Sequence, residues 1–292
     1  MMAVKDVKPR KSESKTRKRA KTNPRKMIKD LKENDPNKQS SAAGIQNLFQ
    51  DHLKFFCPVF FAFTKPENQE RHRSQEVFLL DSSRVQLREW PHDYIHASWV
   101  DGFEKKRQYI ASATPHNASM VAAFWRMCVQ EKIEVIALLM KPDDEDATLL
   151  TTTTKAGDYN VEIETKAEKS FDVLSVSISG KAKHSLKILA LNGWTVDEKP
   201  PLDVFEKLRE AIVENNPSEG PFIISCKHGI FRTGLFLLYD IEYKELAKKN
   251  TIRIYDVIQD LRLQRVQFFE SRKCFDLIYD VSVEACKKFI DA

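Results

Sequence analysis

The stretch PFIISCKHGIFRTG, Pro221 to Gly234, decides the reading of this chain. Its first residues are apolar and β-branched, the pattern of a strand buried on both faces. A cysteine, Cys226, ends the run. After five intervening residues comes Arg232, where a segment of helical periodicity begins. Ligands of open α/β sheets bind at the carboxyl ends of strands. A helix starting there adds unpaired N–H groups and the positive end of its dipole. A short loop wrapped around that point turns its amides inward and makes a nest for an oxyanion. An arginine can grip two oxygens of a phosphate in a fork. The same field favours a thiolate at Cys226. Cysteine and arginine six apart thus read as a nucleophile and an anion clamp for chemistry at phosphorus. C-x5-R alone arises by chance, whereas C-x5-R-T-G at a strand-to-helix junction is far more specific.

Outward from this stretch, strands and helices alternate irregularly. Residues 84–102 hold short alternating segments, and QYIASATP (108–115) is a further strand. SMVAAFWRMCVQE (119–131) carries a helical stripe, and VIALLM (135–140) is a buried strand. PDDEDATLLTTTTKAG (142–157) reads as a loop, and FDVLSVSISG (171–180) as a half-exposed antiparallel strand. Helices are expected over 202–216, 232–249, 251–265 and 274–290. IQNLFQDHLKFF (45–56) reads as an amphipathic helix at the start of the fold, and FFCPVFFAFT (55–64) as a core element too short for a membrane span. The expected fold class is α/β, a single domain over 41–292 with a central mixed, twisted sheet flanked by helices.

These motifs, in this order, resemble the protein tyrosine phosphatase family. Its signature is HC-x5-R followed by Ser or Thr and Gly. DYIHASWVDG (93–102) is similar to the family's DYINASYIDG, and SRVQL (83–87) to SRVKL. YIASATP resembles YIATQGP, FWRMCVQE resembles FWRMVWE, and LRLQR (261–265) matches LRxQR. The resemblance covers roughly residues 45–288. It implies that Cys226 attacks the phosphoryl group to form a thiophosphate. Backbone amides of Lys227, His228, Gly229, Ile230, Phe231 and Arg232, with the Arg232 guanidinium, hold the phosphate oxygens. Thr233 hydrogen-bonds the departing thiolate, and an aspartic acid on a mobile loop protonates the leaving group. No metal and no cofactor is needed.

The chain departs from the family at functional positions. The histidine before the cysteine is Ser225, and Phe231 replaces the glycine before the arginine. The acid loop, W-P-D-x-x-x-P in the family, is WTVDEKPP. Asp197 is the candidate acid, one residue displaced from Trp194 but with the family's spacing to Pro201. The tyrosine that stacks on a phosphotyrosine ring aligns with Ser74. The glutamine that positions water aligns with Glu270, which repels a phosphate unless paired with Arg272 or Lys273. A second glutamine aligns with Cys274. Two readings stand side by side: a Cys-dependent protein phosphatase with reduced activity or altered specificity, and a pseudophosphatase that binds phosphorylated partner proteins.

Charge is distributed unevenly. Residues 1–40 hold 14 Lys and Arg against 5 Asp and Glu, a net of +9; the whole chain carries +5, leaving −4 for residues 41–292. KTRKRAK (Lys15 to Lys21) sits among Ser, Pro, Asn and Glu with almost no apolar residues, so the 1–40 segment is expected to be a disordered basic tail. Its candidate partners are a nuclear import receptor, nucleic acid or an acidic membrane. The five cysteines are odd in number and lack C-x-x-C, against a disulfide framework or zinc knuckle, and each except Cys226 reads as a buried apolar residue. The charged N-terminus has no apolar signal region, so an intracellular place, cytoplasmic or nuclear, is expected.

Overall fold

The computed structural model describes residues 23–26, 29, 58–88, 92–167, 170–192, 194, 201–270 and 272–290, the side chains of 272, 273, 275, 276, 288 and 290 excepted. The helix expected over 45–56, the start of the fold near 41 and the basic run Lys15 to Lys21 lie outside these residues. So does Cys57. Within 1–40, the described part is a single turn at 24–26, capped by the Asn23 side chain accepting from the Lys26 N–H at 2.8 Å.

A nine-stranded mixed sheet forms the centre. Its strands are β1 (Arg84–Gln86), β2 (Tyr94–Val100), β3 (Tyr109–Ala113), β4 (Val135–Leu138), β5 (Thr154–Ala156), β6 (Tyr159–Lys166), β7 (Phe171–Gly180), β8 (His184–Leu191) and β9 (Phe222–Cys226). The spatial order is β1-β2-β3-β9-β4-β8-β7-β6-β5. β3, β9, β4 and β8 run parallel, and antiparallel pairs extend the sheet on both sides. β9 lies in the middle with all five residues buried, as its unbroken apolar run requires.

Helices cover both faces. They are α1 (Phe61–Thr64), α2 (Ala118–Gln130), α3 (Thr148–Thr151), α4 (Leu202–Glu214), α5 (Phe231–Lys249), α6 (Ile254–Gln264) and α7 (Arg272–Ile290), with a 3-10 turn at Pro66–Arg71. On one face α4, α5, α6 and α7 pack Phe205, Phe236, Leu261 and Ile278 against Ile224 and Ala137. On the other, α2 packs Phe124, Trp125 and Met127 against Ile110, Ile136 and Ile223. Alternate residues of β9 thus serve opposite cores. α5 has thirteen buried residues and no exposed apolar stripe to seek, since it lies between the sheet and α7. It ends at Asn250, which takes a left-handed conformation (φ 46°) and bonds its N–H to the Leu246 carbonyl.

Three expectations are corrected. The 142–157 segment is not all loop: it contains α3 and β5. The sequence reading assigns no element to 159–166 or 184–191, where β6 and β8 lie. β6 puts Asn160, Glu162 and Glu164 on a face open to water while Tyr159 and Val161 are buried, so its apolar signal is thin. The described end of FFCPVFFAFT is only partly core. Ala62 and Phe63 are buried, but Val59 and Phe61 are 59% and 68% exposed. Cys128, Cys274 and Cys286 are buried free thiols.

Candidate active site

Ser225 and Cys226 sit where β9 emerges between its two parallel neighbours. Cys226 stands opposite Ala113 of β3, and Ser225 opposite Leu138 of β4. Three bonds pin this edge: Leu139 N–H to the Ser225 carbonyl (2.8 Å), and Thr114 N–H (3.2 Å) and Gly229 N–H (3.0 Å) to the Cys226 carbonyl. The chain then turns through Lys227–Ile230 into α5. The turn depends on Gly229, which has φ +63° and lies against β3. A Cβ there would meet the Ser112 carbonyl carbon at 2.5 Å and oxygen at 2.6 Å. Backbone cannot yield as a side chain can, so this position excludes every other residue.

Cys226 is 4% exposed, and the Thr233 hydroxyl donates to its Sγ at 3.2 Å. The first described helical bond of α5 is Gly234 N–H to the Ile230 carbonyl, and Ile230 supplies no side-chain cap. The amides of Phe231, Arg232 and Thr233 precede that bond, on the turn that faces the thiol. Arg232 is 5% exposed, and its Nη1 donates to the Leu139 carbonyl at 2.6 Å. That bond fixes the guanidinium across the end of β4. Phe231 is half-buried and packs against the core on the face of the sheet covered by α4 to α7, which accounts for a bulky residue at the first helical position. Ser225 is fully buried, and its hydroxyl donates to the Ser112 carbonyl at 3.1 Å.

Behind the loop stands Arg265 of the LRLQR motif, 1% exposed. It donates to the His228 carbonyl (3.0 Å), to Ser98 Oγ (3.0 Å) and to His96 Nδ1 (3.2 Å). Burial brings its guanidinium down to about 10, against the pull of Cys226 and Tyr94, so it stays charged at neutral pH. Burial and Arg265 push His96 down to about 3. A neutral His96 therefore accepts at Nδ1 and donates from Nε2 to the Val77 carbonyl at 2.8 Å. His228 is held below its ordinary value by burial and by Lys227 and Arg73. The sequence reading quoted LRLQR and missed what its last residue supports; a buried arginine becomes legible only when its partners converge.

The rim is built differently. Ser74 is half-buried, and its hydroxyl accepts from Glu76 N–H at 3.2 Å. Glu270 is exposed and accepts from Gln267 Nε2 at 3.1 Å. The same Gln267 straps two segments together: its amide accepts from Phe78 N–H and donates to the Glu76 carbonyl, both at 2.6 Å. Cys274 is buried. Trp194 is buried, with its ring 5.5 Å from Phe205. Asp197 lies outside the described residues. An unforeseen ion cluster completes the rim. Asp146 accepts from Arg73 on one oxygen and pairs with Lys227 at 2.8 Å on the other. Arg73 also donates to the Thr114 and Pro115 carbonyls, each at 2.9 Å. Lone Asp and Arg residues far apart in sequence gave no signal of this.

A thiol, a hydroxyl donating to it, an arginine and a helix start thus meet at the carboxyl edge of a parallel sheet. The protein-tyrosine phosphatase profile matches residues 68–284, and the chain belongs to that family. It is 28% identical over 241 residues to the human receptor-type tyrosine-protein phosphatase C, covering 75% of this chain and 18% of that protein. It is 26% identical over 224 residues to the human receptor-type tyrosine-protein phosphatase eta (70% and 16%). To tyrosine-protein phosphatase 99A of Drosophila melanogaster it is 23% identical over 244 residues (75% and 19%). The chain thus spans less than a fifth of the length of these relatives. No described helix is long and apolar enough to cross a membrane.

Proposed function

We propose that the chain is a Cys-dependent phosphoester hydrolase acting on a phosphorylated protein, with reduced activity or altered specificity. The observation that carries this reading is the Thr233 hydroxyl 3.2 Å from Cys226 Sγ, at the mouth of a loop whose arginine is fixed beside it. The Cys226 thiolate forms a bond to phosphorus as the bond to the leaving oxygen breaks. Arg232 and the loop amides of Lys227, His228, Ile230, Phe231 and Arg232 take the phosphoryl oxygens, the Gly229 N–H being bonded to the Cys226 carbonyl. The leaving oxygen takes a proton from Asp197. Water then cleaves the S–P bond, giving inorganic phosphate and restoring the thiolate, which Thr233 steadies by its hydrogen bond.

A second reading, a pseudophosphatase that holds phosphorylated partners, is favoured by the exposed Glu270 carboxylate and by Ser74 in place of a ring. Hydrolysis of an aryl phosphate by the purified protein, against Cys226→Ser, separates the two. A good leaving group needs little help from an acid, so the assay asks only about nucleophile and clamp. Turnover lost in the variant supports the hydrolase. Turnover equal to the variant leaves the binding role. The basic tail is proposed to meet an anionic partner, such as an import receptor, nucleic acid or an acidic membrane, in the cytoplasm or nucleus.

A further inference from the structure

Lys227 follows the nucleophile directly, yet its side chain is 42% exposed and held by one described contact, the ion pair with Asp146. Arg73, on the other oxygen of Asp146, is only 11% exposed and anchored by two backbone carbonyls besides. Of the two cations, Lys227 is the movable one: a compact charge on a flexible four-carbon stem. The cluster holds two cations and one carboxylate, so it carries an excess positive charge beside Arg232 and Arg265. Burial works against the charged form of Asp146, but hydrogen bonds from Lys227 and Arg73 outweigh it and keep its carboxyl below the usual range. Asp146 therefore stays ionised and occupies Lys227 as a stand-in anion. Ion pairs this open are weak. A phosphate offers more charge and more acceptors to the same ammonium group.

The Gln267 side of the rim carries an exposed apolar ring, Phe78. Gln267 ties the Phe78 backbone to the segment bearing Glu270. Phe78 packs on Phe60 and Phe63 and is 40% exposed. A ligand that uses both sides carries clustered negative charge and apolar side chains together, as a peptide does and a polyol phosphate does not.

We propose that Lys227, released from Asp146, binds a second phosphate, so that the loop selects phosphopeptides phosphorylated on the residue beside the scissile one. This rests on the phosphoester-binding reading above. Titration calorimetry on Cys226→Ser, which holds substrate without turnover, tests it with three probes: a phosphotyrosine peptide, the same peptide with an adjacent phosphoserine, and inositol hexakisphosphate. The doubly phosphorylated peptide should bind about tenfold more tightly than the single one. Adding Lys227→Met should erase that difference. Equal binding of both peptides overturns this inference alone. So does Lys227→Met weakening both alike, or inositol hexakisphosphate outcompeting the double peptide. Binding of neither peptide overturns the phosphoester reading and this one together.

Discussion

The floor of the site and its rim obey different rules. On the floor, Cys226, Gly229, Arg232 and Thr233 are buried or wedged against backbone, and each has a partner that leaves little choice of residue. On the rim, Ser74, Glu270 and Lys227 are half-exposed or exposed, and each makes contacts that many side chains could make. Of the family's residues, Cys226, Gly229, Arg232 and Thr233 persist on the floor, where Ser225 and Phe231 are the departures, while those aligned with Ser74 and Glu270 on the rim are replaced. Close packing makes a site resistant to change, since a misplaced atom meets fixed neighbours. Solvent forgives the rim. In the proposed mechanism, attack by the thiolate draws on the floor, and recognition and hydrolysis of the intermediate draw on the rim.

The contrast can be broken most forcefully at Gly229. Gly229→Ala should abolish aryl phosphate turnover and lower stability by at least about 1 kcal/mol, because a left-handed turn and a backbone clash coincide there. A wild-type melting curve and rate would show the floor to be pliable. Arg232→Met comes next. It removes the fixed clamp, and the rate should fall by about 10²–10³, as for loss of a transition-state donor.

A smaller effect lies along the body of α5, which presents the floor. Glu242 is fully buried between α5 and α7, beside Glu245, Ser282 and Cys286. Burial, with Glu245, pushes its carboxyl up to about 8. Glu245 itself is paired with Arg253 at 2.6 Å. Between the unfolded value of 4.5 and about 8, the folded protein holds a proton that the unfolded chain releases. Stability should therefore fall as pH rises through that window, by at most about 1.4 kcal/mol per pH unit from this group. Glu242→Gln should remove this contribution to the slope, as denaturant midpoints at pH 5 and pH 8 would show. The slightest effect is expected at Glu270. Glu270→Gln removes an exposed charge and should strengthen phosphate binding by no more than about fivefold. A larger gain would mean that the rim governs the floor.

Most of the floor was legible in the sequence, because burial and backbone geometry write themselves into residue type. The apolar run of β9, the spacing from Cys226 to Arg232 and the glycine between them follow from one physical arrangement. Phe231 looked anomalous because its packing against the core is a tertiary fact. The Arg73–Asp146–Lys227 cluster was illegible for a related reason: its members come from three distant segments joined only by the fold. β6 was missed because charges fill its open face, and β8, parallel to β4 on one side and antiparallel to β7 on the other, because His184, Ser185 and Lys187 interrupt its apolar pattern. Asp197 stays a proposal from spacing alone.

A competent floor beneath an altered rim has a kinetic signature. Cys226 should be phosphorylated quickly, and the S–P bond should then hydrolyse slowly, because the residue aligned with the water-positioning glutamine is Glu270. The most direct measurement is a rapid-quench reaction with an aryl phosphate, read both as released phenol and as phosphate on the peptide that bears Cys226. A burst close to one phenol per protein, matched by phosphocysteine at Cys226 and followed by slow turnover, is the expected result. Steady release with no phosphocysteine, or a burst that survives in Cys226→Ser, would contradict the account.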